Sequence, residues 1–324
     1  MFGKSIGGLF CGLALSLATA AFAQTYPMRP VRVVAPFSPG GATDIIARLM
    51  ANQLSIKFGQ QVLIENKPGA NTAIGAEYVA KAPADGYTLL FSNDQTFVLN
   101  AVLFSRLSYN PSLDFAPVAT AAYLPLTIVV NASLPVGSLK ELVAYTQARK
   151  GQLSYGSYGV GSQAHIMGEM YKKLTGTDLV HVAYKGSAPA VADVLGGQVL
   201  FTFPGIPTIQ GFLKGGKLKV LALSGDKRNS LLPEVPTFTE AGYKDLDVGA
   251  WYGFVAPAGT PRDIISRINS TVASIITNPE FVEKSLTAAG MVPLQNTPEQ
   301  FAVFMRSETE RMGVIIRQSG AKAE

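Results

Sequence analysis

Cysteine, histidine and tryptophan are almost missing from this sequence: its 324 residues include one, two and one of them respectively. A single cysteine, Cys11, can form no intramolecular disulfide. Because it sits in an apolar N-terminal run, the rest of the chain also has no thiol nucleophile and no cysteine-based metal site. His165 and His181 are far apart in sequence with no compact set of carboxylates around them, a poor basis for a metal centre. Charge is sparse as well, at 15% of residues, with 27 basic against 22 acidic side chains. No run of Lys or Arg is interleaved with aromatics, so nucleic acid is not an expected partner, and the small positive excess reads as weak attraction for small anions. Past the N-terminus no apolar run reaches the roughly 20 residues needed to cross a membrane.

What the N-terminus does have is Lys4, an apolar stretch over 6–17 and Ala21-Phe22-Ala23 ahead of Gln24. That is the pattern of a signal peptide, residues 1–23, cleaved after Ala23. Phe10 before Cys11 fits a lipoprotein processing site poorly, so the exported chain is expected to be free of cysteine. Its stability must come from a core, and 48% hydrophobic residues supply one.

The chain is organised around residues 31–54. A β-branched run at 31–34 reads as a buried strand, and Ile45, Ile46, Leu49, Met50 and Leu54 recur at helical spacing. Between them, Pro36 and Pro39 stiffen a loop that passes through Phe37 and Ser38, while Gly40 and Gly41 leave backbone N–H groups open where the helix starts. First-turn N–H groups have no intrahelical acceptor and sit at the positive end of the helix dipole, so this is an anion site in outline. The plainer reading is a helix start capped by Thr43 or Asp44. Strands at 62–65 and 87–92, each trailed by a loop, and a helix at 72–81 extend the unit to a parallel sheet. Such sheets bind ligands beyond the carboxyl ends of their strands, near Ser92 and Asn93 here.

The pattern restarts after Pro117. Strands are expected at 126–130, 153–157, 179–184, 198–203 and 218–224, with helices at 138–150, after Ser162 and before Gly196. Strand 153–157 ends at Ser157 and leads into Tyr158-Gly159-Val160-Gly161-Ser162 and then a helix, repeating the opening motif. A strand at 251–256 and helices after Pro261, at 279–289 and at 298–319 form a tail with too little strand material for a domain, expected to pack on the first lobe. The result is an α/β chain in two lobes, 24–125 with 250–324 and 126–249, joined by two crossings.

Several catalytic readings fail on spacing. Gly159 to Ala164 matches G-x-G-x-x-A after a strand, but Asp178 precedes its strand, where a ribose-binding acid should follow it. Ser157 lacks the G-x-S-x-G setting of a nucleophile. Asp44 and Arg48 form an i,i+4 pair that reads first as a local ion pair. His165, in the first turn of its helix, either braces the loop or bonds a ligand, and His181 in an alternating strand reads as structural.

The motifs Pro36-Phe37-Ser38-Pro39-Gly40-Gly41, Glu65-Asn66-Lys67-Pro68-Gly69-Ala70, Asp85-Gly86-Tyr87-Thr88-Leu89-Leu90, Tyr184-Lys185-Gly186-Ser187, Leu195-Gly196-Gly197-Gln198 and Ala256-Pro257-Ala258-Gly259-Thr260-Pro261 occur in this order along the chain. Together they resemble the Bug (TctC-like) solute-binding proteins of tripartite tricarboxylate transporters. The resemblance implies a periplasmic two-lobed binding protein of the Venus-flytrap, type II-like kind, monomeric and without catalytic residues, metal or cofactor. Such a protein closes on a small carboxylate and delivers it to the membrane permease subunits. It further implies a grip by Phe37 to Gly41 and Tyr158 to Ser162, with His165 behind. Thr43, Asp44, Ser92, Asn93, Ser157, Tyr184, Lys185, Gly186, Phe203 and Pro204 complete the candidate site. Two departures stand out. Asn71-Thr72-Ala73 replaces a common Gly-Gly, and Pro204 stands where many relatives carry an Asp that could meet a ligand amine. The second departure points to a di- or aromatic carboxylate without an ammonium group, unless Asp94 supplies the missing acid. An exported enzyme using the same cleft, or a sensory binding protein, are the alternatives.

Overall fold

The computed structural model describes residues 26–322, so the expected leader, its cleavage after Ala23 and Cys11 lie outside the described residues. The chain opens with β1 (Val31–Ala35), which is buried at four of its five positions, as a central parallel strand must be. Helix α1 (Ala42–Phe58) follows and buries Ile46, Met50 and Leu54 together with the small Ala47 and Ala51, and it ends at Gly59 in the left-handed conformation. Next come β2 (Val62–Asn66), α2 (Ala73–Ala80) and β3 (Thr88–Asn93). A π turn over Gln95–Leu99 runs into the short helix α3 (Asn100–Leu103), and β4 (Phe115–Leu124) closes this part of the chain.

The second part begins at β5 (Thr127–Asn131) and continues through α4 (Leu139–Gln147), β6 (Leu153–Ser157), α5 (Gln163–Thr175) and β7 (Leu179–Ala183). After these come α6 (Ser187–Leu195), β8 (Phe201–Thr202), α7 (Ile206–Lys214) and β9 (Leu218–Leu223). A long connection then returns to β10 (Ala250–Pro257). The chain ends with α8 (Arg262–Ile276), α9 (Pro279–Phe281), β11 (Val292–Pro293) and α10 (Pro298–Ser319).

These strands make two sheets, ordered β11-β4-β10-β3-β1-β2 and β7-β6-β8-β5-β9. In the first, β1 pairs in parallel with β2 and β3, and β10 lies antiparallel between β3 and β4. In the second, β6 pairs in parallel with β7 and β8, and β5 lies antiparallel between β8 and β9. Each sheet is thus the centre of a lobe, and each receives one antiparallel strand from a chain segment that has just come from the other. The chain passes from β4 to β5 through Pro125 and Leu126. There the Leu126 N–H donates to Ser224 Oγ at 2.8 Å, tying the outgoing connection to the start of the returning one.

The core lies in two large clusters. One packs α1 and α8 on a face of the first sheet, and the other runs from Val34 and Leu90 through Phe97 and Trp251 to Phe201 and Met312, across both halves. Helix α10 accounts for that continuity. Its Phe301 meets Trp251 edge-on at 5.5 Å, and near its end Lys173 Nζ of α5 donates to the Gln318 carbonyl at 2.6 Å. The tail therefore packs on the first sheet as expected and on the second lobe as well.

Other differences from the sequence reading have local causes. Strand β4 was not anticipated, because FAPVATAAYL is rich in Ala, contains Pro117 and has few β-branched residues. Strand β8 is only two residues long where 198–203 was expected. The Gln198 N–H turns back to the Asp193 carbonyl at 2.8 Å, so the chain joins the sheet late. The expected helix at 279–289 is broken into α9, a π turn over Val282–Leu286 and a 3-10 turn over Thr287–Ala289. Among the described residues no helix is long and apolar enough to cross a membrane.

Candidate functional site

Strands β1 and β6 hold equivalent central places in their sheets, and the loop after each opens on one cavity of about 910 Å³. The first loop is held by Asp44. Its Oδ2 accepts from the Gly40 N–H and from Arg48 Nε, both at 3.0 Å, and its Oδ1 accepts from Asn66 Nδ2 at 2.9 Å. Burial raises the Asp44 pKa, but the bonds from Arg48, Gly40 and Asn66 outweigh burial and hold it below the usual carboxylate range. Asn66 Nδ2 also donates to the Phe37 carbonyl at 3.1 Å. The Gly40 N–H, open in the sequence reading, is therefore occupied. Its φ of +82° is what lets the chain turn back onto Asp44. The N–H groups of Ala42 and Thr43, in the first turn of α1, remain without an intrahelical acceptor.

The second loop is tied more densely. The Ser157 hydroxyl donates to the Gly159 carbonyl at 3.1 Å and accepts from the Gly159 N–H at 3.2 Å, with His181 Nε2 at 2.6 Å. The Gly161 N–H donates to His165 Nδ1 at 3.1 Å, and the two imidazoles stack at 4.2 Å. Ser162 Oγ donates to the Gly159 carbonyl at 2.6 Å and caps α5 by accepting from the His165 N–H. Burial lowers both histidine pKa values, that of His181 to about 4 with the neighbouring His165 adding to the effect. A neutral His165 is what the loop requires, since only an unprotonated Nδ1 can accept from Gly161. The Val160 N–H has no protein acceptor among the described residues. Ser157 and His181 are close enough for a nucleophile and base, yet Ser157 is fully buried and does not line the cavity, so its hydroxyl has no path to a ligand held there.

Around these loops the cavity is closed by Tyr184, Lys185 and Gly186 after β7, and by Asn93, Gln95 and Tyr252 at the floor. Tyr252 lies beside the Thr43 and Asn93 side chains, and burial raises its pKa. Lys185 is the one charged side chain in the lining among the described residues. A turn over 68–72 forms the remaining wall, with Ala70, Asn71 and Thr72 at φ of 44°, 50° and 75°, all in the left-handed region. This backbone is held from below. Asn100 Nδ2 donates to the Asn71 carbonyl at 2.6 Å, and Thr96 Oγ1 to Thr72 Oγ1 at 2.9 Å. Asn71 Nδ2 then reaches across to the Val160 carbonyl at 3.0 Å.

Of the candidate residues, Phe37, Ser38, Pro39, Gly40, Gly41, Thr43, Asn93, Tyr158, Gly159, Val160, Tyr184, Lys185 and Gly186 line the cavity. Eight do not. Asp44, Ser157, Gly161, Ser162 and His165 lie behind the loops and brace them, as described above. Ser92 is fully buried with its hydroxyl 2.5 Å from Thr96 Oγ1. Phe203 is in the core, edge-on to Phe201 at 5.5 Å. The Pro204 carbonyl accepts from the Thr127 hydroxyl at 2.8 Å, and its neighbour Gly205 reaches the lining instead. Asp94 is buried beneath the floor and does not face the cavity. Sequence reasoning missed Gln95, Leu124, Leu126, Tyr252 and Thr208. No local pattern marks these, because each reaches the cavity from an element placed there by tertiary packing.

Residues 46–321 match the family model described as "Tripartite tricarboxylate transporter family receptor" (TctC). Protein BugT of Bordetella pertussis is 35% identical over 97% of this chain and 96% of its own length. Among solved structures, a Rhodopseudomonas palustris protein with adipate superposes with a TM-score of 0.88 at 35% identity, covering 92% of this chain and 99% of that one. The periplasmic binding protein BugD gives 0.84 at 32% identity, covering 92% and 100%. MatC from Rhodopseudomonas palustris with bound malate gives 0.82 at 31% identity, covering 90% and 100%. With one family model and full-length relatives in agreement, the chain belongs to the tripartite tricarboxylate transporter receptor (TctC/Bug) family of periplasmic solute-binding proteins.

Proposed function

We propose that the protein captures a small carboxylate in the cavity between its lobes and delivers it to the permease of a tripartite tricarboxylate transporter. The lobes are residues 24–125 with 250–324 and residues 126–249, and the two connections between them act as the hinge. One observation carries the reading. Among the described residues, N–H groups without a protein acceptor come from two lobes, those of Ala42 and Thr43 and that of Val160, and border one cavity whose single charged side chain is cationic. Charge-assisted hydrogen bonds to a carboxylate contribute about 1.5–3 kcal/mol each, so four of them support micromolar affinity near −8 kcal/mol after the ordering costs of association.

The ligand is a di- or aromatic carboxylate without an ammonium group. No acidic side chain lines the cavity among the described residues, and a buried ammonium without a counter-charge would be strongly disfavoured. Adipate and malate, both dicarboxylates, occur in the solved structures of relatives and support the class. Lys185 takes the second carboxylate at the rim. The test is calorimetric titration with mono-, di- and tricarboxylates, aromatic acids and acidic amino acids. One-to-one binding of a dicarboxylate or aromatic acid without turnover is expected, and a preference for an amino acid or consumption of a compound overturns the proposal. Lys185→Met should weaken a dicarboxylate about tenfold, the worth of one exposed charge-assisted bond, and leave a monocarboxylate nearly unaffected.

A further inference from the structure

Side-chain hydrogen bonds join the two lobes at several places, and two of them lie at the cavity. One is Asn71 to the Val160 carbonyl, at the mouth. The other lies beneath the cavity floor, where Gln163 Nε2 of α5 donates to Asp94 Oδ1 at 2.6 Å and Gln163 Oε1 accepts from the Tyr158 hydroxyl at 3.2 Å. Asp94 follows β3 directly and is only 1% exposed, and no Lys or Arg forms a salt bridge with it among the described residues. The groups that face it come from every element around it. Gln163 and Tyr158 approach from the second lobe, Tyr252 from β10 and Tyr123 from β4. Glu308 and Arg311 approach from α10, where Arg311 spends its Nε and one terminal nitrogen on Glu308 at 2.7 and 2.9 Å. The one cation nearby is thus already neutralised. An ionised Asp94 would be a buried charge whose side-chain hydrogen-bond partner among the described residues is the neutral Gln163 amide, beside a second carboxylate.

We propose that closure of the two lobes is coupled to uptake of one proton by Asp94. With the lobes apart, the Gln163 contact is broken, water reaches the carboxyl group, and it ionises as an ordinary aspartate. When they come together, the second lobe covers the carboxyl group, and the neutral acid is the form that fits. Burial and then the Glu308 carboxylate push the Asp94 pKa in the bridged form up to about 8. Linkage fixes the sign. Between the ordinary aspartate value near 4 and about 8, each rise of one pH unit favours the open form by about tenfold, and above that the effect levels off. A ligand captured by closure near neutral pH takes up a proton with it and is held less tightly as the pH rises.

This coupling does not depend on which ligand binds, so it is tested without one. Small-angle X-ray scattering of the exported protein over pH 5–9 should show the radius of gyration rising with pH and levelling off at the alkaline end. Asp94→Asn keeps the acceptor for Gln163 and cannot ionise, so it should hold the compact value throughout. If that variant does not fold, Asp94→Ser removes the acid with a smaller side chain and carries the same expectation. An unchanged wild-type radius over this range overturns the proposal, as does the same rise in a folded Asp94 variant. Failure of the carboxylate panel would leave this result standing, and the reverse also holds.

Discussion

Asp44 shows how a single side chain holds the mouth of a site that it does not line. Asp44→Ala leaves the Gly40 N–H without its acceptor and takes from the Asn66 amide one of its two, and should cost about 2 kcal/mol in urea unfolding. Because its native pKa is lowered, the stability it contributes is present above the ordinary aspartate value and is lost as the pH falls through the native one. The histidines act at higher pH. Both are held neutral, so as the pH drops below 6.5 the unfolded chain takes up protons before the folded one. Their contribution should be complete above about 6.5 and fade as the pH falls, that of His181 towards about 4, read as a falling urea midpoint between pH 7 and pH 5. Bracing by His165 was one of two readings open from sequence, since a first-turn position allows either role. Only its Nδ1 bond to Gly161 separates them, and that bond depends on a rotamer that no spacing rule encodes.

Individual elements depend on close contacts that only glycine permits. A Cβ on Gly168 would lie 1.9 Å from the Tyr155 ring, where α5 crosses β6. Gly168→Ala should therefore destabilise by about 1–3 kcal/mol by pushing α5, and the loop at its N-terminus, off the sheet. At the turn over 68–72, Asn71→Gly relieves a left-handed strain that Asn71→Ala retains, while both lose the bond to Val160. The Gly variant should be the more stable of the two by about 1 kcal/mol in denaturant. Strand β1, helix α1 and their repeat at β6 and α5 were readable because a glycine loop followed by helical spacing marks both, with a β-branched run added in β1. Strand β4 and helix α7 were not, since their pairing and packing, more than their composition, make them what they are.

For the molecule as a whole, α10 joins what the two sheets separate. Phe301→Ala should cost about 3–5 kcal/mol and shift the emission of Trp251, the chain's one tryptophan, to longer wavelength as its packing against Phe301 and Phe304 loosens. The two sheets also share one plan: β2-β1-β3-β10-β4 of the first corresponds strand by strand to β7-β6-β8-β5-β9 of the second, and β11 is an added edge strand of the first. A carboxylate group has two equivalent oxygens related by a two-fold axis along its bond to carbon. Held between the loop after β1 and the loop after β6, as proposed above, it would give one oxygen to each, with neither lobe the senior partner. Half of an affinity near −8 kcal/mol is only millimolar binding. A ligand that has met one lobe alone is therefore free to leave, and retention begins when the second half of the pair arrives.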